Sequence, residues 1–170
     1  FAGSGLTSIV IPDGVVTLSM GLFEECKKLK NVTIGNSVKS INSSAFRGCS
    51  ALTSIVIPDS VTSIGDCAFW ECTSLSSITI PSSVTKIGGN AFGRSGLTSI
   101  VIPDSVTSIG TGAFQQSPNL VSVIIGKNVT SIGEEAFNRC TSLSNITIPT
   151  SVTRIERAAF WGCTSLSNIT

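Results

Sequence analysis

Residues 52–74 read LTSIVIPDSVTSIGDCAFWECTS, and residues 97–119 read LTSIVIPDSVTSIGTGAFQQSPN. The first fourteen residues of the two segments are identical. A repeat of this length is typical of a solenoid, in which each unit buries its apolar side only against its neighbours. The eight phenylalanines of the chain follow the same repeat, at steps of 22 or 23 residues: Phe1, Phe23, Phe46, Phe69, Phe92, Phe114, Phe137 and Phe160.

Leucines mark the start of each unit and define seven complete units of 22–23 residues over residues 6–165, with partial units at both ends. The short step lies between Leu75 and Leu97, and we place the missing residue in the turn after Phe92, because turns tolerate deletions better than core positions do. We expect residues 1–170 to form one leucine-rich-repeat domain. Both ends lie inside a repeat without a polar cap, so we interpret the chain as a segment of a longer protein.

Apolar residues alternate at the start of each unit, as with Ile55 and Ile57, which predicts a short β-strand with one buried face. Proline or glycine ends the strand, and a second apolar pair follows, for example Val61 and Ile64. Since no stretch carries a long helical stripe, we expect any helix to be a single 3₁₀ turn. Glycine commonly follows the second pair, where we predict a turn with positive φ: Gly65, Gly88, Gly110 and Gly133.

This pattern resembles the BspA-like, or treponemal-type, leucine-rich repeat, whose units have the form LxxIxIPxxVxxIgxxAFxxCxx. The resemblance covers essentially the whole chain. It implies an α/β-type repeat solenoid, mostly β: a curved, right-handed horseshoe segment with a parallel sheet on the concave face and short 3₁₀ or irregular segments on the convex face. It also implies a cell-surface or secreted location and an adhesin-like function, although a repeat fold is reused for many partners.

Composition and residue types argue against several functions. Charged residues make up only 12% of the chain and the net charge is +1, so nucleic acid is not an expected partner. The chain contains no run of 18 apolar residues, so the sequence predicts no transmembrane segment in it. Histidine, the usual general base and zinc ligand, is absent. We therefore predict a non-enzymatic protein with no catalytic residues, no metal site and no cofactor.

Five of the six cysteines occupy one repeat position, three residues after the phenylalanine: Cys26, Cys49, Cys72, Cys140 and Cys163. This recurrence predicts buried, stacked side chains that behave as small hydrophobes. Disulfides between neighbouring layers are the alternative that distance alone would allow. Cys67 stands outside the series and is interpreted either as a small residue in a turn or as a partly exposed, reactive thiol.

The residues between the buried positions of each first strand should face outward on the concave side. They are small, β-branched and uncharged, and they end with Thr170. The strip is open to three interpretations: a surface chosen for β-propensity, a neutral binding strip for an extended protein or a glycan, or an array that orders water as ice-binding solenoids do. Its candidate partner-binding residues are Thr33, Val56, Thr79, Val101, Ile124 and Thr147.

Trp70 and Trp161 directly follow the repeated phenylalanine, at a position whose residue type varies between units. Exposed tryptophans can mark an interface, so both are candidate partner-binding residues. The alternative is a ring that lies flat over its own turn.

Three functional hypotheses follow. The leading one is a protein-interaction scaffold, of the surface or secreted adhesin type, with a protein or glycan partner. The second is a structural subunit held in a larger complex, and the third is the non-catalytic arm of a longer enzyme. Only the family resemblance favours the cell surface or secretion, and the sequence itself leaves the location open.

Overall fold

A computed structural model describes residues 1–169, and Thr170 lies outside the described residues. The alternating positions form parallel strands of two or three residues, one per layer, as predicted. They are hydrogen-bonded in three groups, β1–β3, β5–β7 and β9–β11–β13–β15, which we together call the first sheet. Its strands are β1 (Ser8–Val10), β3 (Asn31–Thr33), β5 (Ser54–Val56), β7 (Ser77–Thr79), β9 (Ser99–Val101), β11 (Ser122–Ile124), β13 (Asn145–Thr147) and β15 (Asn168–Ile169).

The second apolar pair of each unit builds a second parallel sheet that the sequence pattern did not predict. Its strands are only two residues long, too short for an alternation to be recognised. Each pairs with the strand one layer away, in register, for example Ile41 with Ile64. The order β14–β12–β10–β8–β6–β4–β2 runs through β2 (Thr17–Leu18), β4 (Ser40–Ile41), β6 (Ser63–Ile64), β8 (Lys86–Ile87), β10 (Ser108–Ile109), β12 (Ser131–Ile132) and β14 (Arg154–Ile155).

The rest of each layer is a turn segment around the phenylalanine. Residues 1–169 contain no helix, so the expected α/β character and 3₁₀ turns are not confirmed, and none of these residues forms a helix that could cross a lipid bilayer. The residues two before and two after the phenylalanine have positive φ, as at Cys67 and Glu71 around Phe69. Their amides bind carbonyls of the next layer, with Cys67 N donating to Gly89 O at 2.8 Å. In a helix those amides would have to donate to carbonyls of the same turn, so their bonds to the next layer exclude one here.

The prediction of positive φ at the glycines after the second apolar pair is wrong. Positive φ occurs at other glycines, such as Gly48. At Gly65 a Cβ atom would lie 2.5 Å from the backbone nitrogen of Ser43 in the preceding layer. Glycine recurs at this position because the two backbones approach closely there, and a turn with positive φ is not the reason.

The phenylalanines form one continuous ladder through the core, as the period predicts. Neighbouring rings are stacked with centroids 5.3–5.5 Å apart. The rings from Phe23 to Phe137 are fully buried, and the alanine before Phe46 and its equivalents are buried beside them. Burying each ring stabilises the fold by roughly 1.5–3 kcal/mol. The right-handed curvature that the resemblance implies stays a prediction.

Candidate functional site

The outward positions of the first sheet form a continuous surface, which we call the neutral strip. Its candidate residues Thr33, Val56, Thr79, Val101, Ile124 and Thr147 are all exposed. Parallel pairing sets them in one row, with Val56 beside Thr79 and Ile124 between Val101 and Thr147. A second row of Ser and Asn side chains, such as Ser99 and Ser122, runs beside the first.

Several aliphatic side chains of the neutral strip are strongly exposed. Val56 is 80% exposed, Val10 70%, Ile124 62% and Val101 56%. No charged residue occupies an outward position on the described strands of the first sheet. Charge is depleted in the core of protein interfaces, and contiguous exposed apolar surface is uncommon on proteins without partners.

Trp70 lies on the turn segment, away from the neutral strip. Its ring packs over the next layer, where a Cβ on Gly93 would lie 2.2 Å from ring atom Cζ3. The guanidinium of Arg94 sits 5.2 Å from the ring centroid, and Arg94 also pairs with Glu71 at 2.8 Å. Trp70 is therefore half-buried and lies flat, over the neighbouring turn and not over its own.

Trp161 lies four layers further along the same turn segments and is 56% exposed. Arg139, in the preceding layer, places its guanidinium 5.0 Å from the ring centroid. The structure thus groups the strip residues in one row but does not bring the two tryptophans to that row or to each other.

A groove on the turn segments near Trp161 was not predicted from the sequence. It has a volume of about 500 Å³. Asn138 is one of the residues that line it, with only 8% of its surface exposed. Among the described residues the Asn138 side chain makes no hydrogen bond. The side chains around it are Gln115, Glu135, Arg139, Arg157 and Trp161.

The cysteine series is structural. No disulfide joins the six thiols, all of which lie within the described residues, and Cys26, Cys49, Cys72 and Cys140 are buried. Each Sγ of the series donates to the carbonyl of the phenylalanine in the preceding layer, as from Cys72 to Phe46 at 3.1 Å. Burial raises the pKa of the Cys140 thiol to about 12 and that of Cys72 well above its ordinary value. Cys67 is half-exposed with φ 54°, and desolvation raises its pKa as well, so Cys67, Cys72 and Cys140 are not activated nucleophiles.

A pH prediction follows from the raised pKa of Cys140. An unfolded thiol ionises near pH 8.5, so this contribution to stability is complete below that pH and is lost as the pH rises toward 12. Cys140→Ser removes the titration, and Ser117 shows that a hydroxyl fits the equivalent position, donating to Phe92 O at 3.1 Å. When the pH is raised from 7 to 10, the free energy of unfolding should fall in both proteins. The fall should be about 1–2 kcal/mol smaller in the variant than in wild type.

Urea unfolding at both pH values measures that difference. Cys67→Ser, at a half-exposed thiol, is the control and should change the pH dependence of the unfolding free energy less than Cys140→Ser does. An equal pH dependence in Cys140→Ser and wild type would contradict the prediction.

Two aspartates that directly follow the proline after a first-sheet strand, Asp13 and Asp104, accept backbone amides of the next layer. Asp104 Oδ1 accepts the amide of Lys127 at 2.8 Å, and Asp13 Oδ1 accepts that of Asn36 at 2.6 Å. The Lys127 amide is the main cause of a lowered pKa at Asp104. In the described part of the chain no three His, Cys, Asp or Glu residues form a metal-binding group.

Comparisons with known proteins agree with this geometry. A family model described as the BspA type leucine rich repeat region, in six copies, matches residues 1–121 and 107–170. The leucine-rich repeat protein TpLRR of T. pallidum superposes with a TM-score of 0.73 at 26% identity, over 95% of this chain and 65% of that chain. A leucine-rich repeat protein from Eubacterium ventriosum superposes with a TM-score of 0.74 at 25% identity, over 98% of this chain and 49% of that chain. A leucine rich cell surface protein from Faecalibacterium prausnitzii superposes with a TM-score of 0.50 at 34% identity, over 96% of this chain and 59% of that chain.

This chain thus spans about half to two thirds of the length of these solved structures. No curated protein matches it significantly. Leucine-rich repeat proteins of bacteria are generally protein-interaction scaffolds and generally not enzymes. The family match over the whole chain and the matching layered fold together establish that the chain belongs to the BspA-type leucine-rich repeat family.

Proposed function

We propose that the chain is a non-enzymatic interaction module of a surface or secreted protein with an adhesin-like role. In this proposal a protein partner binds the neutral strip. The observation that carries it is the row of exposed aliphatic and threonine side chains on a face without charge, in which Val56 is 80% and Ile124 62% exposed. The surface location is supported by the similar Faecalibacterium prausnitzii protein, which is described as a cell surface protein.

The chemistry of the strip favours a flat or extended partner. Its apolar row is one residue wide, because each strand contributes a single aliphatic or threonine side chain to it. Hydroxyl and amide groups flank that row, so a partner backbone lying along the strip would find both apolar contact and hydrogen-bond partners. Protein partners are favoured over glycans here, because the strip has no tryptophan on which a sugar ring could stack.

Paired glutamate substitutions test the strip without touching the core. Val101 and Ile124 are exposed neighbours on adjacent strands, so V101E together with I124E should leave the fold intact. Binding should weaken by about tenfold or more, because the charges must be desolvated at the interface. The measurement is biolayer interferometry of the chain against a panel of purified extracellular and cell-surface proteins.

The matched control places the same charges at the start of β10 in the second sheet, through T107E, directly before the strand, together with S108E in it, both at exposed positions. Far-UV circular dichroism confirms that both variants keep their structure. Binding that survives V101E and I124E, or falls equally in the control, would contradict the assignment of the strip. Protease treatment of intact cells that releases no peptide of this chain would contradict the surface location.

A further inference from the structure

The groove around Asn138 lies on a different part of each layer from the neutral strip, and the function proposed for the strip does not use it. Three successive layers contribute to it, through Gln115, Asn138 and Trp161, each directly after a repeated phenylalanine. Its volume of about 500 Å³ lies within the range of small-ligand sites.

Asn138 is the strongest indication of a ligand. More than nine-tenths of its surface is buried, yet its amide has no hydrogen-bond partner among the described residues. No fully buried side-chain nitrogen or oxygen of residues 1–169 lacks a partner, so the unpartnered amide atoms of Asn138, which lines the groove, keep some contact with solvent. Buried amides are normally hydrogen-bonded, and this one offers an acceptor and two donors at a fixed position.

Charge balance in the groove selects against an ionic ligand. Arg157 pairs with Glu134 across adjacent layers. Arg139 has no carboxylate within ion-pair distance in the described structure and lies over the Trp161 ring, while Glu135 contributes a negative charge beside it. Two guanidinium groups and two carboxylates leave no net charge, so an anion gains little there.

We propose that this groove binds a neutral saccharide unit. Neighbouring hydroxyls of a sugar both donate and accept, which matches the amide of Asn138, the guanidinium of Arg139 and the carboxylate of Glu135. The C–H face of a sugar ring packs against an aromatic ring, and Trp161 supplies one that is 56% exposed. Asn138 orients the sugar, Arg139 and Glu135 bind its hydroxyls, and Trp161 supplies the apolar contact.

Trp70 provides the matched control within the same chain. It also follows a repeated phenylalanine and also has an arginine over its ring, at 5.2 Å. The groove beside it is about half as large, at about 270 Å³. The polar side chains there are already used, since Arg47 pairs with Glu24 and Asn90 accepts a hydrogen bond from Gln115. We therefore assign saccharide binding to the Trp161 groove and not to the Trp70 groove.

The test is a nuclear magnetic resonance titration of the full chain with cellobiose, lactose, maltose, chitobiose and the acidic sugar sialyllactose. The two indole N–H signals are assigned with Trp70→Phe and Trp161→Phe. A neutral saccharide should shift the Trp161 indole signal and the Asn138 side-chain amide, with a dissociation constant of about 0.1–10 mM, and should leave Trp70 unshifted. Asn138→Ala and Trp161→Ala should each weaken binding by about tenfold or more, and Trp70→Ala should not.

Three results would overturn the proposal. They are no shift at Trp161 with any neutral saccharide, binding by sialyllactose alone, and binding that persists in both groove variants. Trp161→Ala alters an exposed ring and keeps the test decisive if Asn138→Ala does not fold. The outcome is independent of the neutral strip, because V101E with I124E should leave the saccharide titration unchanged.

Discussion

Phe92→Ala should lower the free energy of unfolding by about 3–5 kcal/mol. The Phe92 ring is fully buried, between Phe69 at 5.4 Å and Phe114 at 5.5 Å. Its removal leaves a cavity that neither neighbouring ring can fill, because each already stacks on a further ring. Since each layer of a solenoid is held only by its neighbours, a break here also weakens the coupling between the two halves of the stack.

Urea unfolding followed by Trp70 fluorescence, in a Trp161→Phe background, measures this loss near the altered layer. Phe1→Ala is the control, because the Phe1 ring is 64% exposed, and it should cost about 1 kcal/mol or less. Phe92→Leu, which keeps most of the volume, should cost less than Phe92→Ala. A loss near zero for Phe92→Ala would refute the role of the ladder in stability.

Gly96→Ala should destabilise the chain by about 1–3 kcal/mol. Gly96 lies in the unit that is one residue short, and the shorter turn draws its backbone against the preceding layer, with Gly96 N donating to Cys72 O at 3.2 Å. A Cβ there would lie 2.3 Å from the carbonyl oxygen of Thr73, and the next nearest atoms also belong to backbone. The layers would have to separate to admit a methyl group.

The first residues of the chain supply a matched control for Gly96→Ala. Residues 1–6 read FAGSGL and residues 92–97 read FGRSGL, so Gly5 stands at the position equivalent to Gly96. A Cβ on Gly5 would meet nothing within 4 Å. Gly5→Ala should therefore change the urea midpoint little, and equal effects of the two substitutions would show that close contact at Gly96 is not what requires glycine.

The repeat period determined which parts of the fold could be predicted. The first sheet and the phenylalanine ladder follow from side chains that recur with a fixed identity, such as Ile55 and Phe69. The second sheet was missed because its pairs occupy two residues per layer, too few for a periodicity. The positive φ values were misplaced because residues as different as Glu25, Cys67 and Ala158 adopt them. Both the second sheet and the positive φ values depend on hydrogen bonding or packing between layers, and the sequence of a single unit does not encode such contacts.

The two candidate sites also differ in whether the sequence alone could locate them. The neutral strip could be located from the sequence because its residues alternate with the buried positions of one strand. The saccharide groove could not, since Gln115, Asn138 and Trp161 each look like variable surface residues within their own unit. Only the stacking of three layers brings them together around one unpartnered amide.

The assignment of the neutral strip as the partner face is tested most directly by site-specific photo-crosslinking on cells that make the protein. A photoreactive amino acid would replace Val101 on the strip and, in a second variant, exposed Thr107, which directly precedes β10 of the second sheet. The account predicts that the Val101 probe cross-links one discrete protein partner and that the Thr107 probe does not. Cross-linking of the same partner from Thr107 alone, or equally from both positions, would contradict it.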